Sequence, residues 1–176
     1  VHTKQARWFS IALSRRTVPW AYLRGDPFRA IASLELLAVL TAIMLFSRDA
    51  PWKDGRRKVV LPAFTDNLSN MHVLKKFGSS KFPLSIVAME LACQLEIAKV
   101  ELDLSWVPRC QNEEADALTN SRFEEFDDSR RINVQFEDLR FVLLDRLMTK
   151  AGELDSELKL HKTSKEAKRR SEERRV

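Results

Sequence analysis

The sequence predicts an α/β fold in which neighbouring strands run parallel and helices flank the sheet. Apolar stretches with helical spacing alternate along the chain with short strand-like runs. Strand, buried helix, strand, one or two helices, strand and helix follow one another, which is the order typical of this class. Hydrophobic residues make up 44% of the 176 residues, so one sizeable core is possible.

The first predicted elements are a strand and a long apolar helix. Residues 6–14 alternate so that one face is consistently apolar, which predicts a strand. Asp26-Pro27 predicts a helix start, because Asp is a good N-cap and Pro is favoured in the first turn. The helix should run to about Phe46, and since it is apolar on almost every side we expect it to be buried. A membrane span is disfavoured, because Ala30–Phe46 is short and contains Glu35.

The middle of the chain supplies the other strands and helices. Val59–Phe64 is an apolar run that ends at Thr65-Asp66-Asn67, as a buried strand with a polar tip would, although Pro62 argues against a central position. Further along, the spacing predicts helices at Asn70–Phe77, Ile86–Val100 and Asn112–Leu118, and a strand at Val100–Trp106.

The C-terminal part is predicted to lie outside the α/β domain. Phe136–Met148 is amphipathic and predicts a helix, which would either pack on the domain or link it to a neighbouring module. From Lys159 onward the chain is almost wholly charged, so we expect an exposed helix or a disordered segment. The predicted organisation is therefore a domain at 1–125, a helical extension at 126–158 and a charged tail at 159–176.

Charge and cysteine content indicate which partners and which cellular compartment to expect. The formal net charge is +5, which favours polyanions such as nucleic acid, although much of the excess lies in the tail. Cys93 and Cys110 belong to no CxxC pair, which argues against a disulfide framework and a structural zinc site. The N-terminal residues do not resemble a signal peptide, so we expect an intracellular protein, cytoplasmic or nuclear. Because the chain starts on Val1, its beginning is expected to lie elsewhere.

Three acidic residues stand where solubility does not explain them. Glu35 lies inside the apolar helix, Asp66 follows an apolar strand, and Asp116 opens a helix just after a strand. Ligands of open α/β sheets gather at the carboxyl ends of the strands, to which a packed helix can also direct one acid. Crowded carboxylates need a cation, and Mg²⁺ suits oxygen ligands. Two such ions can activate water and clamp a phosphodiester.

Each acid also has an ordinary structural interpretation. Glu35 would face a water-filled groove, or pair with Arg29 or another arginine, as buried acids usually do. Asp66 would be a turn residue, since Asp-Asn favours turns. Asp116 would simply favour the N-terminal turn of a helix. The combination of the three is more informative than any one of them.

Three segments together resemble ribonuclease H, in the form attached to the reverse transcriptases of retroelements. Phe28–Ala38 is similar to the family's first helix with its single metal-binding Glu, and Thr65-Asp66-Asn67 to the end of its fourth strand. Trp106–Leu118 resembles the last motif, in which a Pro turn leads through Asn-x-x-Ala-Asp-x-Leu into the final helix. The resemblance covers roughly residues 6–120. It implies a mixed sheet with flanking helices, here lacking the first two strands.

The resemblance also implies an activity. The intact parent would be an endonuclease that hydrolyses the RNA strand of RNA–DNA hybrids, joined to an upstream reverse transcriptase module. Glu35, Asp66 and Asp116 would be its catalytic residues and would hold two Mg²⁺ (or Mn²⁺) ions. The family's first Asp has no counterpart here, and Arg109-Cys110-Gln111 stands where a His is common. We therefore expect the 176-residue chain itself to be inactive or nearly so.

Contacts to nucleic acid are predicted around this centre. Asn67 and Asn112 would reach sugar hydroxyls, by which proteins distinguish RNA from DNA. Phosphates would be contacted by Lys75, Lys76 and Lys81, although surface lysines more often serve solubility. The alternative is a catalytically dead remnant that at most binds nucleic acid, with the basic tail as a weak, salt-sensitive contact. The expected partner is a hybrid or another nucleic acid, and no membrane.

Overall fold

Two parallel strands packed with helices form the part of the chain that the computed structural model describes, namely residues 6–23, 25–47, 59–76, 81–150 and 153. In chain order the elements are α1 (Ile31–Phe46), β1 (Val59–Thr65), α2 (Leu68–Lys76), α3 (Leu84–Ala98), β2 (Val100–Trp106) and α4 (Glu113–Thr119). A further helical segment covers residues 144–150. The predicted α/β class is confirmed.

The strands β1 and β2 pair in parallel, as predicted, with α2 and α3 between them in the chain. Their register runs from Val59 opposite Val100 to Thr65 opposite Trp106, so both strands end at the same edge. The chain beyond that edge is held as well, because the Val107 N–H donates to the Thr65 carbonyl at 2.9 Å. The described sheet has two strands, so Pro62 lies on an edge strand, where proline is tolerated.

The core lies between α1 and α3, which pack against each other along their length. Leu36, Leu40, Val87 and Leu91 are fully buried there. Leu144, from the C-terminal segment, is also buried in this core and not on a separate body. Burying one leucine side chain contributes roughly 2 kcal/mol. Because several leucines are buried between α1 and α3, the contact between these helices is the main stabilising layer of the described fold.

The helix α1 is less buried than its composition predicts. Its buried residues lie mainly on one side, while Ile31 is 51% exposed and Phe28, in the preceding 3₁₀ turn, is 64% exposed. Pro27–Phe46 is long and apolar enough to cross a membrane by length and composition, with 39% of the window buried inside the structure. Core helices pass the same test, and α1 packs on α3, so this is weak evidence for a span. The expectation of burial on every side is wrong.

The predicted strand at residues 6–14 is wrong. Only Trp8 makes a bridge, in parallel with Arg131, and the rest of the segment is irregular. Trp8 is buried against the rings of Phe123 and Phe126, and its indole N–H donates to the Asp127 carbonyl at 2.8 Å. A strand needs a neighbour along its length, and this segment meets one at a single residue.

The other boundaries differ by small amounts. The start at Asp26-Pro27 is a 3₁₀ turn, Pro27–Ala30, which leads into α1, and the predicted end at Phe46 is confirmed. The strand β2 is found where predicted, while β1 includes Thr65. The helices α2, α3 and α4 are each shifted by one or two residues, as fraying ends allow. Phe77, residues 48–58 and the predicted charged tail at 159–176 lie outside the described residues.

The predicted helix Phe136–Met148 is wrong in its first half. Phe136–Asp138 forms a short 3₁₀ turn, and α-helix begins only at residue 144. The backbone N–H groups of residues 142–144 donate to the buried side chain of Glu90 instead of continuing a helix from Phe136. A contact from a distant helix therefore sets this start, which amphipathic spacing alone does not show.

Candidate acidic centre

Glu35 is fixed through Asn67, which follows β1. The Asn67 amide N–H donates to the Glu35 carboxylate. The same side chain accepts N–H groups of Ser69 at 2.9 Å and Asn70 at 3.3 Å, and so caps the start of α2. Burial raises the pKa of Glu35 and the negative charge of Asp66 adds to it, while the Asn67 hydrogen bond and the charge of Arg109 act in the opposite direction.

Asp66 lies between the ends of the two strands. Its backbone carbonyl accepts the Trp106 indole N–H at 3.0 Å, which ties the tip of β1 to the end of β2. Its carboxylate is close enough to Glu35 and to Arg109 to act electrostatically on both. The predicted placement of Asp66 at the carboxyl ends of the strands is therefore what the structure shows.

Asp116, on α4, is held by two arginines. Arg109 donates to Asp116 Oδ1 at 2.9 Å, and Arg122 donates to Asp116 Oδ2 at 2.8 Å. The hydrogen bond from Arg109, more than any other contact, holds the pKa of Asp116 below its ordinary value. The arginine side chains are 78% and 60% exposed, so each ion pair alone stabilises the fold little.

Arg109 is the group that the three predicted acids have in common. Its pKa is raised mainly by the hydrogen bond to Asp116, with further contributions from the charges of Asp66 and Glu35. Asp116 contacts this guanidinium directly, and Glu35 and Asp66, from two other distant segments, act on it electrostatically. We call these three acids with Arg109 the acidic centre. Arg109, rather than Arg29, is the arginine that acts on Glu35.

The acidic centre, as it stands, does not fit a divalent metal ion. In the part of the chain that the structure describes, no group of three or more His, Cys, Asp or Glu side chains is arranged to hold one. Both carboxylate oxygens of Asp116 accept hydrogen bonds from arginine. A guanidinium supplies the positive charge that Mg²⁺ or Mn²⁺ would supply in a site of oxygen ligands.

A polar cleft of about 770 Å³ lies beside the acidic centre. Arg109, Asp116 and Arg122 form part of its wall, and the remaining lining residues are Cys110, Glu113, Ala117, Glu124 and Glu125. The wall of the cleft carries charges of both signs, so it favours neither anionic nor cationic ligands.

A scan against protein-family models, a search of curated proteins and a search of solved structures each find no match to this chain. The α/β class therefore rests on the described elements themselves, and the family resemblance rests on the three segments that carry it. The functional interpretation depends on the geometry of the acidic centre.

The predicted nucleic-acid contacts are not brought together. Asn67 is engaged by Glu35 and by α2, whereas Asn112 occupies the N-cap position of α4 without a side-chain capping bond. Lys75 is exposed near the far end of α2, roughly 10 Å along the helix from its start. It lines a second cleft, of about 440 Å³, between α2, α3 and β2. Lys76 ends α2, and Lys81 is exposed before α3.

Sequence reasoning missed Arg109, Arg122 and Glu90. Arg109 follows a Pro turn seven residues before Asp116, and a cation so close to an acidic motif was a usable signal. Glu90 lies in an apolar helix just as Glu35 does, and it is completely buried. The same signal thus marks one acid that joins the acidic centre and another that holds a backbone segment.

Proposed function

We propose that the chain is part of a ribonuclease H-type nuclease domain from a reverse-transcribing element. One observation carries the proposal: Glu35, Asp66 and Asp116, chosen from sequence in three distant segments, act on the same guanidinium at the carboxyl ends of two parallel strands. Such an edge is where α/β proteins bind ligands. In the intact parent, the activity would be metal-dependent hydrolysis of the RNA strand of an RNA–DNA hybrid.

The order and placement of the acids support this proposal. The glutamate comes from a helix packed on the core, one aspartate follows β1, and the other begins the helix after β2. In the resembling family these positions carry the metal-binding carboxylates, together with an aspartate from an upstream strand. Mg²⁺ or Mn²⁺ would be the cofactor of the parent, and an upstream reverse transcriptase module its neighbour.

A second candidate is a catalytically silent domain that only binds nucleic acid. The hydrogen bonds from Arg109 and Arg122 to both oxygens of Asp116 favour it, since they neutralise an acid that the nuclease would need for metal. Binding through arginine and lysine to phosphates would be independent of sequence and would weaken steeply with salt. Either candidate implies an intracellular protein, cytoplasmic or nuclear.

The decisive experiment is Mg²⁺-dependent cleavage of an RNA–DNA hybrid. The reading frame upstream of Val1 would be translated, and the longer parent compared with the 176-residue chain and with Asp66→Asn in the parent. We expect the parent to cleave, the 176-residue chain to cleave hardly at all, and Asp66→Asn to lower the rate at least about 100-fold. Asp103→Asn, an exposed acid on β2, is the matched control and should leave the rate unchanged.

Each outcome distinguishes the candidates. Equal cleavage by the parent and its Asp66→Asn variant would remove the acidic centre from the reaction. Salt-sensitive binding of the hybrid without cleavage by the parent would support the silent domain. Efficient cleavage by the 176-residue chain would contradict the expectation that it is inactive.

A further inference from the structure

We propose that the outer edge of β2, with the groove beside it, is a docking site for an extended peptide segment in which apolar and basic residues alternate. The site goes beyond the proposed function, because it involves neither the acidic centre nor nucleic acid. Three features of the described residues support it: backbone groups open along one side of β2, an apolar groove beside them, and acidic side chains on the exposed face of the strand.

The backbone of β2 is open along one edge. In the described sheet its neighbour is β1, on one side only. Val59 lies opposite Val100, but its N–H donates to the Lys99 carbonyl at 3.4 Å, as in a regular parallel ladder. Val100, Leu102 and Leu104 therefore turn their N–H and C=O groups away from β1, toward the open edge. A row of such groups is a template on which another strand can pair.

A groove runs beside this edge. It is the cleft of about 440 Å³ between α2, α3 and β2, and residues 100–104 line it without a break. Its apolar walls include Met71 and Leu74 from α2, and Ala92 and Leu95 from α3. Because successive side chains of a strand point to opposite faces, an unbroken run of lining residues means that the strand edge itself forms one side. A segment paired with β2 would place every second side chain in the groove.

The exposed face of β2 is acidic. Glu101 and Asp103 point to solvent, whereas the side chains of Val100, Leu102 and Leu104 pack toward the core. Side chains directly opposite each other on neighbouring strands interact, so a lysine or arginine opposite each acid stabilises the pairing. The residues between them lie on the groove side, where apolar side chains fit. The preferred segment therefore has the order apolar, basic, apolar, basic, apolar.

A second copy of this chain fits the edge less well. Two β2 strands paired about a twofold axis would bring Glu101 and Asp103 of one copy against the same acids of the other, and opposed like charges are destabilising. The outer edge of β1 is a poorer template, because Pro62 has no N–H to donate there. Lys75 and Glu96 also line the groove and carry opposite charges, so the exposed acids of β2 decide the preference.

The test is binding of a fluorescently labelled peptide, Ser-Val-Lys-Val-Lys-Val-Ser, to the full 176-residue chain, read by fluorescence anisotropy. We expect it to bind at least about tenfold more tightly than the same peptide with Glu in place of Lys, since like-charge pairs replace opposite ones. Joint Glu101→Lys and Asp103→Lys substitution should reverse this preference. The same charge change at two exposed acids elsewhere, Asp128→Lys with Glu137→Lys, is the matched control and should keep the preference. Ala92→Phe, which fills the groove, should weaken binding at least about tenfold.

Hydrogen exchange locates the bound peptide, and thermal melting shows that each variant is folded. The amides of Val100, Leu102 and Leu104 should exchange more slowly with the Lys peptide bound, while those of Glu101 and Asp103, which already face β1, change little. The proposal is overturned if the Lys peptide binds no more tightly than the Glu peptide, if the exchange of charges leaves the preference in place, or if protection appears away from β2. Slower exchange at the same amides with rising protein concentration, without peptide, would assign the edge to a second copy and overturn it too.

Discussion

At the scale of single residues, Asn70 is the polar side chain that the described structure satisfies least. It lies in the first turn of α2 and is completely buried. Its amide nitrogen and its amide oxygen both lack a hydrogen-bond partner within the described residues. Burying an amide in this way costs roughly 1–3 kcal/mol relative to a bonded one.

We therefore predict that Asn70→Leu raises the free energy of unfolding by about 1 kcal/mol, because an apolar side chain of similar size removes the unsatisfied groups. Urea denaturation at constant pH would measure the change. Gln94→Leu is the control, since Gln94 is also buried but donates to Glu90 at 2.7 Å and to the Arg140 carbonyl at 3.2 Å. That variant should lower the free energy of unfolding. A loss of stability in Asn70→Leu would show that its amide is bonded after all.

The sequence alone indicated some residues of the acidic centre but not others. Glu35, Asp66 and Asp116 were recognisable because an acid at the end of an apolar strand, or inside an apolar helix, has few structural explanations. Arg109 was harder to recognise, since only its nearness in sequence to the motif of Asp116 distinguishes it from any solvent-exposed arginine. Glu90 lies inside an apolar helix as Glu35 does but was missed, and only the hydrogen bonds of each acid distinguish their roles.

At the scale of elements, Glu90 joins α3 to the C-terminal segment. Its carboxyl group accepts the N–H groups of Val142 at 3.0 Å, Leu143 at 2.6 Å and Leu144 at 2.8 Å. These are N–H groups at the start of the helical segment 144–150, which has no earlier turn to supply partners for them. A side chain from a distant helix thus caps this segment and aligns it with the core.

We predict that Glu90→Ala lowers the free energy of unfolding by about 3 kcal/mol, because it leaves the buried N–H group of Leu144 and two partly buried ones without an acceptor. Hydrogen exchange should show faster exchange at residues 142–144, while the amides of β1 and β2 stay protected relative to the global unfolding rate. Glu101→Ala, at an exposed position on β2, is the control and should change stability by less than about 0.5 kcal/mol. Unchanged exchange at 142–144 in Glu90→Ala would contradict the capping role.

Local spacing explains which elements the sequence predicted well, and the Glu90 contact explains one that it did not. The strand β2 and the end of α1 follow from local spacing, because each has a clear change of pattern at its boundary. The segment at Phe136–Met148 fails because its helical start depends on Glu90, 54 residues before Leu144. Residues 6–14 fail because the alternating pattern suits a strand, but within the described structure a paired neighbour is present only at Trp8.

At the scale of the whole molecule, the N-terminal segment of the described chain packs on residues 123–131. Trp8 packs with tilted rings against Phe123 and Phe126, and the guanidinium of Arg131 lies over the Trp8 and Phe123 rings at about 5 Å. Leu144 and Met148 lie in the core, so the C-terminal helical segment packs onto the α/β body. The acidic centre lies on this body, so its charges contribute to the stability of the whole described fold.

The charges of the acidic centre should give the stability two pH dependences of opposite sign. The pKa of Asp116 lies below its ordinary 3.8, because Arg109 donates to the carboxylate. Its contribution is complete above pH 3.8 and is lost as the pH falls through the folded-state pKa. The pKa of Glu35 lies above its ordinary 4.5, because of burial. The folded state then binds more protons than the unfolded state, so stability falls as the pH rises from 4.5 through the folded-state pKa.

We therefore predict that Glu35→Gln gains stability relative to the wild type as the pH rises above 4.5, since Gln keeps an acceptor for Asn67 and carries no charge to desolvate. Asp116→Asn should be less stable than the wild type above pH 3.8, and this difference should shrink as the pH falls further. Urea denaturation of the three proteins between about pH 3 and pH 6.5 measures both differences, a range that brackets the ordinary carboxyl pKa values. Stability curves that stay parallel to the wild type would contradict both the burial assigned to Glu35 and the arginine contacts assigned to Asp116.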